Sequence, residues 1–322
     1  MSIKKVINFI NSYKLFLVTT HTSPEADALG GQVAFLRLLR SLGKDAVLVN
    51  EDRLPRECAF LSNSDEIKIF SPKLSGIEFE AFVILDCSEL KRCGQVHTLN
   101  TSGKPILNID HHISNQYFGQ VNWVLPYASS TCEVIYRLFK AMHVNIEPET
   151  ATALYAGIIT DTGSFRYPNT GAFTHQAAAE LMRCGIDSSA IYRQLYQSIP
   201  IAELKILGKI LPMIKRAAGG KIAWFSVSQK SLGVTRVDFD LSDQVLAFGR
   251  AVEGVEVAVL FRENRKAPEE IRVNLRSHGK VDVSKVASCF SGGGHKTASG
   301  CTVTGTLAQV RAKVIRKIEE QL

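Results

Sequence analysis

Asn108-Ile109-Asp110-His111-His112 closes an apolar run that begins at Pro105. The run delivers one acid and two adjacent imidazoles to a single point. Three polar groups at the end of a hydrophobic strand need partners or a metal, and packing alone explains them poorly. A strand that is apolar throughout, rather than alternating, belongs in a parallel sheet covered on both faces. The stretch therefore predicts an α/β fold with a polar site at the carboxyl edge of its sheet.

Working outward, residues 15–20, 46–49 and 81–85 are further continuous apolar runs. Helical stripes lie between and after them. After Gly30-Gly31, apolar residues at 35, 36, 38, 39 and 42 share one face and stop at Gly43. Ser130-x-x-Glu133 reads as a capping box opening a helix over 131–142. Residues 149–160 and 174–185 are two more helices, the latter stopped by Gly185. The pattern is helical from 201 to 218 and closes at Gly219-Gly220. Beyond it come strands at 221–228, 255–261, 270–276 and 299–304, and helices near 242–251, 282–290 and 307–321. The expected architecture is an N-terminal parallel-sheet domain (1–195) with helices on both faces. A helical connector (196–220) leads to a smaller mixed α/β domain (221–322), with a cleft between the two.

The 322 residues exceed the usual single-domain size, and 45% hydrophobic with 21% charged is a globular composition. A formal net charge of +7 leans toward an anionic partner such as a nucleotide or nucleic acid. The seven cysteines (58, 87, 93, 132, 184, 289, 301) are scattered and form no C-x-x-C pair. Neither a disulfide framework nor a thiolate zinc site fits them. No apolar run approaches the roughly 20 residues of a membrane span, and the start of the chain lacks a secretory pattern. A soluble, cytoplasmic protein is expected.

Four places carry acids or histidines at element ends. They are His21-Thr22-Ser23-Pro24-Glu25-Ala26-Asp27, Asp86, Asp110-His111-His112, and Asp161 in Thr160-Asp161-Thr162-Gly163. Each has a plain structural reading. His21 fits a satisfied loop histidine, Asp27 a helix cap, Asp86 a turn cap through Ser88, and Asp161 a helix end with an Asx turn. Their joint occurrence outweighs those readings. The set offers oxygen and imidazole but no thiolate, which suits Mn²⁺, Mg²⁺ or Co²⁺ better than structural zinc. Six candidates are enough for two ions if one carboxylate bridges, and two-metal sites hydrolyse phosphoesters.

On these residues the chain resembles the DHH phosphoesterases, and within them the small two-domain oligoribonuclease/pAp-phosphatase (nanoRNase, NrnA-like) type. The matching stretches are His21-x-x-x-Glu25-x-Asp27, Leu85-Asp86-Cys87-Ser88, Asn108-Ile109-Asp110-His111-His112-x-x-Asn115, Ala128-Ser129-Ser130-Thr131-Cys132-Glu133 and the run from Gly157 to Tyr167. Asn274-Leu275-Arg276-Ser277 and Gly292-Gly293-Gly294-His295-x-x-Ala298-x-Gly300 continue the match. The resemblance implies one metal held by His21, position 25 and Asp86, and a second by Asp27, bridging Asp86, His111 and Asp161. It implies that His112 contacts the substrate phosphate and Asp110 orients the imidazoles. Asp86, His112 and Asp110 are then the residues through which catalysis runs, with water as nucleophile.

Two positions depart from the family pattern. Glu25 stands where the family has Asp, and its extra methylene moves the carboxylate outward by ~1.5 Å if nothing adjusts. Metal ligands tolerate only about ±0.2 Å, so either the loop shifts or the first site is altered. Gly31 stands where the family often has Ser.

In the second domain, consecutive glycines let backbone N–H groups approach a phosphate. Arg276, Ser277, Gly293, Gly294 and His295 are the expected substrate-binding residues there. Phe165 is expected in the core, and Tyr167 is open between packing and base stacking. The function expected is two-metal hydrolysis of short oligoribonucleotides to 5′-mononucleotides, with pAp dephosphorylation beside it and Mn²⁺ as the leading metal. The alternatives are a cyclic- or linear-dinucleotide phosphodiesterase, or a nucleotide-binding sensor impaired through Glu25. The partners expected are short RNA or a small nucleotide and no membrane; a homodimer is left open.

Overall fold

The computed structural model describes residues 2–228, 241–264 and 267–322, and the chain divides into two compact units, Met1–Ser198 and Ile199–Leu322. In the first unit, α1 (Ile3–Ser12) precedes β1 (Leu15–Thr19), and α2 (Ala26–Ser41) leads into β2 (Asp45–Asn50). Strands β3 (Lys68–Ile69), β4 (Ala81–Leu85), β5 (Ile106–Asp110) and β6 (Val121–Val124) follow. Helices α3 (Thr131–Ala141), α4 (Pro148–Asp161), α5 (Ala172–Arg183) and α6 (Ser188–Tyr196) complete the unit. The strands pair in the order β3-β2-β1-β4-β5-β6, all parallel. The order reverses between β1 and β4, and such a switch point leaves a crevice at the carboxyl ends of the strands.

The continuous apolar strands serve two cores at once, because successive side chains point to opposite faces. Phe16, Val18, Val83, Leu85, Leu107 and Ile109 pack with the α-helices. Leu17, Phe82 and Ile84 face the other way, against Cys93, Val96 and Leu99. Those three belong to a 3₁₀ segment, Leu90–Leu99, so short 3₁₀ turns cover this second face. Full burial of each such side chain stabilises by about 1.5–3 kcal/mol.

Three features differ from the sequence expectation. Helix α2 begins at Ala26, so Gly30 and Gly31 lie inside it. A Cβ on Gly30 would stand 2.4 Å from the Ala153 carbonyl oxygen of α4, and one on Gly157 of α4 would stand 2.9 Å from the Asp27 Cα. The glycines therefore allow α2 and α4 to touch, which no single-helix pattern reveals. Helix α1 was not expected either, since Lys and Asn surround its narrow buried stripe of Val6, Phe9 and Ile10. The stretch 201–218, expected to be helical throughout, stops early. Helix α7 (Ile201–Ile210) gives way to a 3₁₀ turn holding Pro212, which lacks an N–H, and then to β7 (Lys215–Ala217).

The second unit continues with β8 (Ile222–Val227), α8 (Ser242–Arg250), β9 (Val257–Glu263), β10 (Glu270–Ser277), α9 (Val283–Ser288), β11 (Gly293–His295), β12 (Ala298–Thr304) and α10 (Leu307–Glu319). Among the described residues its sheet runs β11-β12-β10-β9-β8-β7, with β8 and β9 parallel and the other pairs antiparallel. Ile271, Val273 and Leu275 pack one face with Val310, Val314 and Ile318 of α10. Phe225, Val227 and Leu260 pack the other with α7 and α8. Among the described residues no helix is long and apolar enough to cross a membrane.

Candidate metal centre

The switch point gathers the predicted residues. His21 follows β1, Asp86 follows β4, and Asp110 ends β5 with His111 and His112 just beyond. Asp27 sits in the first turn of α2, and Asp161 is the last residue of α4 rather than lying past it. His21 Nε2 is 3.3 Å from Asp86 Oδ2, while His111 Nε2 is 3.7 Å from Asp86 Oδ1 and 3.4 Å from Asp161 Oδ2. The ligand atoms of Asp27, His111 and Asp161 lie within 4.8 Å of one another, as do those of Asp86, His111 and His112. Asp86 thus presents one oxygen toward His21 and the other toward His111.

Neither His21 nor Glu25 belongs to these two groups of three. Glu25 is the exposed N-cap residue of α2, and its charge bears on Asp161. Of the expected set His21, Glu25 and Asp86, the first and third lie 3.3 Å apart.

Asp86 has a left-handed backbone, φ 55°. Asp tolerates that region better than most residues, yet the conformation stores strain of order 1–3 kcal/mol. Its N–H still donates to the Ile109 carbonyl at 2.9 Å, so the turn comes directly off the ladder.

The imidazoles are held from behind. His21 Nδ1 is 2.7 Å from the Thr22 carbonyl oxygen, and His111 Nδ1 is 3.3 Å from that of Ala128. A carbonyl accepts only from a protonated Nδ1, which leaves Nε2 as the ligand nitrogen when each ring is neutral. His112 differs: its Nδ1 lies 2.6 Å from Asp110 Oδ1. Asp110 is fully buried and also accepts from Asn115 Nδ2 at 2.5 Å, while Asn115 donates to Asn108 Oδ1 at 2.8 Å.

The start of α3 grips the carboxylates, a contact that the sequence reading missed. Thr131 N–H donates to Asp27 Oδ2 at 2.7 Å and Cys132 N–H to Asp27 Oδ1 at 2.8 Å. The Thr131 hydroxyl donates to Asp86 Oδ1 at 2.9 Å. The Ser130-x-x-Glu133 signature held the clue, because a helix start offers unpaired N–H groups. Ser130 caps as expected, accepting from Glu133 N–H at 3.0 Å. The Glu133 carboxylate, however, accepts from the Ser129 and Thr174 hydroxyls and from Arg137.

Electrostatics test whether a cation fits. Burial raises the Asp27 carboxyl, and the Asp86 charge adds to it, against His111 and the two N–H donors of α3. Desolvation in the crowded site also pushes Asp161 well up, with Asp27, Asp86 and Glu25 adding and His111 opposing. Burial would raise Asp86 too, but the His21 hydrogen bond and the charges of His112, His21 and His111 hold it far below the carboxylate range. Burial lowers His111, yet Asp161, Asp86 and Asp27 carry it to about 9. Crowded carboxylates that take up protons are the complement of a missing positive charge. The donor set is oxygen and nitrogen. Cys132 is no rival ligand: burial and Asp27 push its thiol up, and Sγ donates to the Asp27 carbonyl at 3.3 Å. The residues fit a divalent cation.

The second unit's candidates have contacts within their own unit. Arg276 donates to Asp243 Oδ1 at 2.5 Å and to the Leu275 carbonyl at 3.0 Å. Ser277 is 1% exposed and donates to the Val281 carbonyl at 2.8 Å, so its hydroxyl closes its own turn. Gly293, Gly294 and His295, expected as a phosphate-binding turn, form exposed strand β11 against β12. Gly294 has φ 137°, and a Cβ there would meet the Ala298 carbonyl oxygen at 2.5 Å, whereas one on Gly293 meets nothing within 4 Å. Phe165 packs on the first core and stacks on His175 at 5.0 Å; Tyr167 lies over Gly163. A separate groove of about 570 Å³, lined by Trp123, Tyr127, Arg137, Lys140 and Phe173, includes none of the metal-ligand candidates.

Residues 15–158 match the model of the DHH family, N-terminal domain, and residues 229–322 match that of the DHHA1 domain. The chain is similar to the bifunctional oligoribonuclease and PAP phosphatase NrnA of Thermus thermophilus, 31% identical over 95% of this chain and 89% of that protein. It is 27% identical to the protein of the same name from Bacillus subtilis, over 93% of this chain and 92% of that one. A crystal structure of an exopolyphosphatase-related protein from Bacteroides fragilis superposes with a TM-score of 0.89 at 26% identity, covering 99% of this chain and 95% of that one. Histidines and carboxylates at the switch point, with similarity along nearly the whole length, lead to one conclusion: the chain belongs to the DHH family of metal-dependent phosphoesterases and is a hydrolase.

Proposed function

We propose that the protein hydrolyses short oligoribonucleotides to 5′-mononucleotides and also removes a phosphate from pAp, using two divalent cations with Mn²⁺ preferred. The observation that carries this reading is the division of Asp86 between His21 at 3.3 Å and His111 at 3.7 Å. One carboxylate facing two imidazole groups is what a bridging ligand requires. In this reading His21, Glu25 and Asp86 would hold one ion, and Asp27, Asp86, His111 and Asp161 the other. Glu25 also adds its charge near Asp161. When bound, two such ions acidify a water and neutralise phosphoryl oxygens.

The protein's own groups do the rest. Asp110 fixes the His112 ring through Nδ1, and His112 donates to the substrate phosphate from its other nitrogen. Asp27, held at both oxygens by α3, keeps the acidic cluster from reorienting as charge develops. The hard donor set favours Mn²⁺ over a thiolate-seeking metal. Relatives named oligoribonuclease and PAP phosphatase, similar over 93% or more of the chain, support the substrate. The seven cysteines are all free, which supports a reducing compartment such as the cytoplasm.

The test is incubation of the protein with Mn²⁺ and an end-labelled RNA dinucleotide. Release of labelled 5′-mononucleotide, stopped by a chelator, is expected. Dinucleotide binding with no product at any Mn²⁺ or Mg²⁺ concentration would overturn the reading in favour of a nucleotide sensor.

A further inference from the structure

Thr131 touches two of the acidic side chains at the switch point from one residue. Its main-chain N–H donates to Asp27 Oδ2 at 2.7 Å, and its side-chain hydroxyl donates to Asp86 Oδ1 at 2.9 Å. Asp27 belongs to α2, Asp86 follows β4, and Thr131 opens α3, so three elements distant in sequence meet at one residue. Thr131 is fully buried, and Asp27 and Asp86 are 3% and 5% exposed. With little water to compete, each hydrogen bond strongly restricts the carboxylate it reaches.

The two contacts do different things. Asp27 is also held by Cys132 N–H at 2.8 Å, so its plane is fixed by the backbone alone. Asp86 receives only the hydroxyl from α3, on the oxygen that faces His111 and His112. Rotation of the Asp86 carboxylate about its Cβ–Cγ bond would exchange the oxygens facing His21 and His111. The hydroxyl opposes that rotation.

We propose that Thr131 is a positioning residue for the metal centre: its hydroxyl sets the plane of Asp86 so that each oxygen serves one cation, in register with Asp27 held by the same residue. This deepens the two-cation reading and rests on it.

The test compares Thr131→Val, which keeps shape and N–H but loses the hydroxyl, with Thr131→Ser, which keeps the hydroxyl. Mn²⁺ uptake is measured by calorimetry on the metal-free protein, alongside its melting temperature without metal. The Mn²⁺ dependence of dinucleotide hydrolysis is measured in parallel. Loss of a partner behind a metal ligand weakens affinity about 10–100-fold. Thr131→Val is expected to weaken Mn²⁺ uptake and raise the Mn²⁺ needed for half-maximal hydrolysis by that factor. Thr131→Ser is expected to stay within about threefold of the parent. A Thr131→Val protein with a lowered melting temperature but unchanged Mn²⁺ uptake would show a merely structural role and overturn the inference. If Thr131→Val does not fold, Thr131→Ser decides: retained uptake supports the inference, and a tenfold loss sinks it. Failure of the parent protein to take up Mn²⁺ would overturn the metal reading itself, a separate result.

Discussion

Asp27, Asp86 and Asp110 lie buried at the edge of a parallel sheet, whereas Gly293, Gly294 and His295 lie exposed on the end strand of a mixed one. Both groups stood out in the sequence as candidate site residues. Taking a carboxylate out of water costs several kcal/mol unless other charges compensate. Imidazoles compensate Asp86 and Asp110, and two N–H donors hold Asp27. The second group costs nothing to expose, and hairpin packing already accounts for Gly294. Burial separates carboxylates that need compensation from glycines whose backbone is exposed without such a cost.

The sharpest way to break that contrast is Asp86→Ala. In the proposed two-cation reading both positions would lose a ligand, so kcat/KM for a dinucleotide is expected to fall on the order of 10³-fold or more, together with Mn²⁺ uptake. Hydrolysis within tenfold of the parent would sink the idea of a shared carboxylate.

In the second unit, Gly294→Ala meets both an unfavourable φ and a carbonyl oxygen at 2.5 Å, while Gly293→Ala meets open space. Urea unfolding is expected to show a loss of about 3 kcal/mol for the former and under about 0.5 kcal/mol for the latter. Equal losses would mean the triplet is not governed by hairpin packing.

The smallest effect concerns a buried carboxylate that the protein compensates by itself. Burial raises Glu133, but Arg137, Ser129 and Thr174 hold it below its ordinary value. A carboxylate depressed in the folded state stabilises fully above its unfolded pKa, and that contribution disappears as pH falls through the folded value. Glu133→Gln is expected to cost about 2 kcal/mol at neutral pH. The gap between variant and parent should close as pH drops below the ordinary Glu range, and Mn²⁺ should not alter it. A gap that persists in acid would show that the charge is not what matters.

Sequence reading reached the strands that carry the site because β1 and β4 are almost wholly apolar and β5 carries Leu107 and Ile109 on one face ahead of its polar end. It reached His21, Asp86 and His111 because each follows such a strand. It did not foresee that α2 starts as early as Ala26, because the contact of Gly30 with Ala153 of α4 is invisible in one segment. It overlooked the grip of Thr131 for a similar reason. A capping signature marks a helix start, but which carboxylates stand in front of it is a matter of tertiary packing. Residues 201–218 were misjudged at Pro212, where the helical pattern of the flanking residues outweighed one missing N–H.

The left-handed backbone of Asp86 limits how this corner can change. Glycine, asparagine, aspartate and histidine occupy that region more readily than other residues, and of these only aspartate is an anionic ligand. A cysteine placed there to recruit a softer metal would meet a steric penalty before any coordination began. The turn after β4 thus acts as a filter on evolution: it admits hard-cation chemistry and makes a switch to a thiolate centre costly, whatever the surrounding residues become.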